Sequence, residues 1–133
     1  VSGAVIVTTP QDIALLDARK ALRMFEKVEV PVLGVVENMA IHVCSQCGHA
    51  EHIFGAGGGA SMAAQYGVPL LGALPLDIRI REHGDGGNPT VAADPGSAVA
   101  RAYREIARNA AGRLSLRAKN KSLAFAKIVI QDT

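Results

Sequence analysis

Cysteine is scarce in this chain: 133 residues carry two, Cys44 and Cys47. A pair three positions apart cannot staple a small fold as a disulfide framework does, and in a reducing compartment it points to metal or redox chemistry. Long hydrophobic runs are missing as well. Nothing approaches the roughly 20 apolar residues that cross a bilayer, and the opening Val1-Ser2-Gly3-Ala4 lacks the basic start of a secretory leader, so a cytoplasmic protein with no membrane partner is expected. No charge of one sign dominates. The formal net charge is +2, with acidic and basic groups mixed over the first hundred residues, which leaves no global field for nucleic acid or an anionic surface. No internal repeat or low-complexity segment occurs. What is present is a hydrophobic content of 49%, enough for the core of one domain at the usual size of about 150 residues.

The apolar residues are arranged as strands that alternate with helices. Ala4-Val5-Ile6-Val7-Thr8-Thr9 is a β-branched run of the kind that forms a buried strand. Thr9-Pro10-Gln11-Asp12 follows as a helix start, with Thr9 as cap, Pro10 at the first helical position and Asp12 reaching back; Leu15, Ala18, Leu22 and Phe25 then share one face of a helix over 10–27. Residues 30–38 read as a second buried strand and 69–75 as a third, and between them a helix over 60–66 stops at Gly67. Asp94-Pro95 opens a further helix, with Val99, Ala102, Tyr103, Ile106 and Ala110 on its inner face and Gly112 near its end. The pattern predicts an α/β fold, a partial doubly wound parallel sheet with helices on both sides and ligands at the strands' carboxyl ends. As part of a wider sheet, 5–8 would have neighbours on both sides; here one edge of that strand is expected to lie bare. From Arg113 to Lys127 there are five basic residues and no acidic ones, which reads as a solvated tail, and 127–130 has the composition of a terminal edge strand.

The chemistry concentrates in Cys44-Ser45-Gln46-Cys47-Gly48-His49. Two thiolates are half a site, since tetrahedral zinc takes four ligands and a cubane iron–sulfur cluster takes four thiolates. The set is completed either within the chain, by His42, His49 or His52 around zinc, or by a second copy across a two-fold axis. A thioredoxin-like role fits poorly, because Gly48 and the polar residues after Cys47 do not begin the helix that would lower a thiol pKa. Residues 41–53 are expected to be mobile until metal orders them. Gly55-Ala56-Gly57-Gly58-Gly59 lacks the Gly-Lys-Ser/Thr ending of a phosphate cradle and reads as a hinge that returns the loop to the next helix. The fourth histidine, His83, receives no role.

Several of these segments together resemble the Mrp-type iron–sulfur cluster carriers within the MinD/ParA-like P-loop ATPases. The likeness runs from residues 4–12 through Val32-Leu33-Gly34-Val35-Val36-Glu37-Asn38-Met39, the Cys44–His49 stretch, Ile53-Phe54-Gly55, Gly67-Val68-Pro69, Gly72-Ala73-Leu74-Pro75-Leu76-Asp77, Ile80-Arg81-Glu82 and Ala93-Asp94-Pro95, and covers roughly 3–110. The resemblance implies that Cys44 and Cys47 of one subunit, with the same pair of its homodimer mate, hold a bridging [4Fe-4S] cluster destined for apo iron–sulfur proteins. It implies that Asn38, Pro75 and Asp77 line the adenine of ATP, with Asp77 alternatively capping the helix that starts there. Family members begin with a deviant Walker A loop that grips ATP phosphates and magnesium; this sequence has none, and looks like the carboxyl-terminal half of a longer ATPase. The expected division is a nucleotide-domain portion over 1–112, with the metal loop at 41–55, and a basic tail over 113–133. Without a phosphate grip the chain alone is expected to bind ATP weakly and to hydrolyse none, with no catalytic residue of its own. A structural zinc loop on a nucleotide-binding domain is the competing reading.

Overall fold

The computed structural model describes residues 1–122, with side chains described through Arg117. Strand β1 (Ala4–Thr8), β2 (Val32–Glu37) and β5 (Leu70–Ala73) form a parallel sheet in the order β1-β2-β5. Ile6 stands opposite Val35, Thr8 opposite Glu37, and Glu37 in turn opposite Ala73. Two short strands, β3 (His42–Val43) and β4 (Ala50–Glu51), make a separate antiparallel hairpin.

Helices cover both faces, as continuous apolar strands require. On one side α1 (Asp12–Lys27) and α2 (Gly58–Gln65) bring Leu15, Ala18, Leu22, Met62 and Ala63 against Ile6 and Val35. Leu22 is 1% exposed and Met62 and Val35 are 0% exposed, so each contributes the roughly 1.5–3 kcal/mol of a fully buried side chain. On the other side α5 (Ala98–Ser122) lays Ala102, Tyr103, Ile106 and Ala110 on Val36, Leu71 and Leu74. Helices α3 (Ile78–Asp85) and α4 (Thr90–Ala93) connect β5 to α5. None of the described helices is long and apolar enough to cross a membrane.

Local signals explain most boundaries. Helix α2 ends in a Schellman turn: Gly67 adopts φ +64°, its N–H donates to the Ala64 carbonyl, and the Val68 N–H donates to Ala63. The start of α1 differs from the capping box that Thr9 and Asp12 suggest. Gln11 occupies the cap position without a side-chain bond to the helix backbone, and Thr9 spends its hydroxyl on the Gln11 side chain at 3.2 Å. Helix α5 starts three residues beyond Pro95, where the Ser97 hydroxyl accepts the Ala100 N–H at 3.1 Å. It then passes through Gly112 to Ser122, so the first part of the basic tail is helical. The suggested strand at 127–130 lies outside the described residues.

The two sheet edges differ. At β5 the Asn109 side chain of α5 donates to the Leu71 carbonyl at 2.8 Å, which occupies an acceptor that another strand would need. At β1 no strand pairs with the outer edge among the described residues. Helix α5 packs on β5 and β2 and stops short of β1, leaving Val5 at 39% and Val7 at 60% exposure. The first strand is therefore half-covered, in contrast to the buried strand its sequence suggests. An apolar strand with a free edge is a template for pairing with another chain. Val7→Lys should lower self-association at high protein concentration, measured by sedimentation velocity, while changing folding stability by no more than about 0.5 kcal/mol because Val7 faces solvent.

Candidate metal centre

The cysteines are presented by a hairpin that the sheet itself extends to hold. Beyond β2 the chain keeps bonding to the segment beyond β5: the Leu74 N–H donates to the Glu37 carbonyl (2.8 Å), the Ala40 N–H to Leu74 (2.9 Å) and the Leu76 N–H to Ile41 (2.8 Å). Two histidines reinforce this attachment. His42 Nδ1 lies 3.2 Å from the Leu76 carbonyl, and His52 Nδ1 lies 2.6 Å from the Ala40 carbonyl. A carbonyl only accepts, so each Nδ1 bears the hydrogen and each Nε2 keeps its lone pair in the neutral ring. Residues 41–53 thus form a hairpin bonded to its neighbours on both sides.

The exit from the hairpin is pinned as firmly. Glu37, 6% exposed at the end of β2, accepts the Gly59 N–H at 2.5 Å. Gly57 supplies the left-handed turn (φ +73°) ahead of α2, and a Cβ on Gly59 would lie 2.8 Å from the Glu37 carboxylate. The glycine-rich segment is therefore the close-packed return of the chain, the hinge role its lack of a Gly-Lys-Ser/Thr ending suggested. Glu37 escaped sequence reading, although a carboxylate closing an otherwise apolar strand was a visible signal.

At the tip, Cys44 to Gly48 fold into a tight knuckle. The Cys44 N–H donates to the His49 carbonyl at 2.9 Å, and the Gly48 N–H donates to the Cys44 carbonyl at 2.8 Å. This turn aims the backbone N–H groups of Cys47 and Gln46 at Cys44 Sγ, and the Cys47 thiol adds a third hydrogen bond. Together these hold the Cys44 thiol below the usual cysteine range, against partial burial and the nearby Glu51 carboxylate. Cys44 is half-buried and Cys47 exposed, and neither is disulfide-bonded. Among the described residues no group of three or more His, Cys, Asp or Glu side chains comes together as a metal site. His42, His49 and His52 therefore do not complete a set around the cysteines in this conformation.

The other three residues singled out from sequence fall on two cavities. Asn38 is fixed by its N–H to the Thr8 carbonyl (2.6 Å), while its side-chain oxygen accepts the Met39 N–H (2.9 Å). It lines an open groove of about 540 Å³ along β1 and α1. Pro75 and Asp77 line a second groove of about 800 Å³, shared with Ile41, His42, Cys44 and the start of α5. Asp77 is occupied locally: it caps α3 by accepting the Arg79 N–H (2.9 Å) and pairs with the Arg79 guanidinium at 3.0 and 2.7 Å. Those Arg79 bonds hold its carboxyl below the usual range.

Comparison with known proteins agrees with this arrangement. The family model described as ParA, NUBPL iron-transfer P-loop NTPase, matches residues 1–111. An iron-sulfur cluster carrier protein of Pseudomonas fragi is 64% identical over 107 residues, covering 80% of this chain and 37% of that protein. The iron-sulfur cluster transfer protein NUBPL of Mus musculus is 52% identical over 114 residues, covering 86% and 36%. This chain thus spans about a third of the length of the curated relatives it matches. Among solved structures, the cell division ATPase MinD of Pyrococcus furiosus superposes with a TM-score of 0.65 at 27% identity, over 84% of this chain and 43% of its own. A nucleotide-binding protein of Archaeoglobus fulgidus in complex with ADP superposes with a TM-score of 0.56 at 37% identity, over 65% and 35%. The fold is that of the MinD-like P-loop NTPases, and by the match over residues 1–111 the chain belongs to the NUBPL iron-transfer family within the ParA class.

Proposed function

We propose that this chain carries an iron–sulfur cluster as cargo, with Cys44 and Cys47 supplying two of the four thiolates of a [4Fe-4S] cluster and a second copy supplying the others. The observation that supports this most directly is the knuckle: two free thiols on a pinned hairpin, one held below the usual cysteine range by hydrogen bonding, with no third ligand beside them among the described residues. A thiol pair open on its solvent side leaves room for a second copy to complete the ligand set. Soft thiolates suit iron–sulfur clusters, and a two-fold axis beside the hairpin delivers the missing pair. The relatives named as cluster carriers and transfer proteins support the cargo reading; apo iron–sulfur proteins as recipients and the cytoplasm as the setting are part of the proposal.

Nucleotide use belongs to the same proposal. Asn38, Pro75 and Asp77 stand at the carboxyl ends of β2 and β5, where this sheet type gathers ligands, and would flank an adenine base. Magnesium and the phosphates need the charged grip that this sequence lacks, so ATP hydrolysis is assigned to a longer ATPase and not to these residues alone. In such a protein, ATP would change how two subunits meet at the hairpins and so gate loading or release.

Anaerobic reconstitution with iron and sulfide tests the carriage reading. The expected result is four irons and four sulfides per two chains, with a dimer in solution that reverts to monomer in the Cys44→Ser/Cys47→Ser variant. One zinc per monomer without sulfide would instead establish the structural zinc loop. The charge state of Cys44 gives a second expectation. Its thiol titrates below the ordinary range, so the stabilisation from the N–H groups is present above the ordinary cysteine pKa and is lost as pH falls through the lowered one. In the metal-free chain, iodoacetamide labelling of Cys44 should therefore persist to lower pH than labelling of the same cysteine in urea-unfolded chain, read by peptide mass spectrometry.

A further inference from the structure

We propose that the two cysteines have unequal parts in handing over the cargo: Cys44 anchors it and Cys47 is the ligand that exchanges with the recipient's thiol. This rests on the carriage reading above and adds an order to it. Cys44 directly follows strand β3, with its N–H bound to His49 and its carbonyl bound by Gly48. Its side chain is half-buried against the 800 Å³ groove with Ile41, Leu76 and Ile78. A bond from iron to a sulfur held in this way re-forms quickly if it breaks, because the thiolate has nowhere else to go.

Cys47 stands in the opposite situation. It is exposed at the tip of the knuckle, on a residue whose successor, Gly48, adopts φ +73° and has nothing within 4 Å of the place a side chain would occupy. That gap is an open approach for an incoming thiol. In the exchange, a sulfur–iron bond forms to the recipient's cysteine as the bond from Cys47 Sγ to iron breaks, and the recipient's thiol proton passes to the released Cys47 thiolate. Iron, sulfide and electrons are conserved, so the step needs no oxidant or reductant.

Limited alkylation of the reconstituted chain separates this ordering from the carriage reading itself. Iodoacetamide is applied for short times to loaded and metal-free chain, and each cysteine is quantified by peptide mapping. Loading should protect Cys44 at least about tenfold more than Cys47, a difference that mere exposure of Cys47 would not produce because the metal-free chain carries it too. Reconstituted with iron and sulfide in excess 2-mercaptoethanol, Cys47→Ser should keep more of its cluster absorbance than Cys44→Ser. Neither cysteine belongs to the buried core, and a thermal melt of each variant verifies the fold. Equal protection of the two cysteines, or better retention by Cys44→Ser, overturns the ordering while leaving carriage intact. Failure of the unsubstituted chain to take up iron and sulfide overturns both.

Discussion

The arrangement of the candidate metal centre depends on one buried bond, from the Gly59 N–H to the Glu37 carboxylate. Glu37 closes the central strand, and Gly59 lies in the first turn of α2, so this contact joins the two ends of the segment that holds both cysteines. A hydrogen bond to a charged group contributes roughly 1.5–3 kcal/mol, and a carboxylate at a helix N-terminus gains further from the aligned peptide dipoles. The contact also forbids a side chain at Gly59, where a Cβ would lie 2.8 Å from the carboxylate. A glycine-rich segment that looks like a phosphate cradle is thereby accounted for by packing. The exit of the hairpin is held by Glu37 and its approach by the bonds of Ala40 and Ile41 to the segment beyond β5.

Those contacts give the carrier reading its physical content. A mobile loop would have to be ordered when metal binds, and the entropy of ordering would be subtracted from affinity. Here the histidines that the sequence offers as ligands spend Nδ1 on backbone carbonyls, holding the hairpin to its neighbours. The knuckle then makes the cysteines inequivalent, one sulfur surrounded by N–H donors and half-buried, the other open to solvent. The uncovered side of β1 is a second asymmetry: α5 protects the sheet at β5 and leaves Val5 and Val7 in water.

The elements that could be read from the sequence were those with strong local signals. Leu15, Ala18 and Leu22 share a helical face because their spacing matches 3.6 residues per turn, and they form the core as that spacing predicts. Gly67 ends α2 because a left-handed residue is needed there. The hairpin was invisible, since strands of two residues carry no periodicity, and so was α4, a single turn of Thr90–Ala93. The continuation of α5 through Gly112 was missed for a related reason: glycine disfavours a helix interior by only about 1 kcal/mol, which the surrounding Ala and Arg residues outweigh.

By itself the sequence determined the α/β alternation, the parallel sheet, the pairing of two thiols at a spacing suited to one metal edge, and the family, because each follows from residues close together along the chain. Only the tertiary structure decided which residues hold the thiols in place. Glu37 and Gly59 are 22 positions apart, His42 and Leu76 are 34 apart, and no local pattern announces a bond across such a distance. It also decided that Asn38 faces a different groove from Pro75 and Asp77, and that Cys44 and Cys47 differ in burial. The physical reason is the same in each case: spacing along a chain specifies which face of an element a residue occupies, whereas burial and hydrogen-bond partners depend on what the other elements bring to that face.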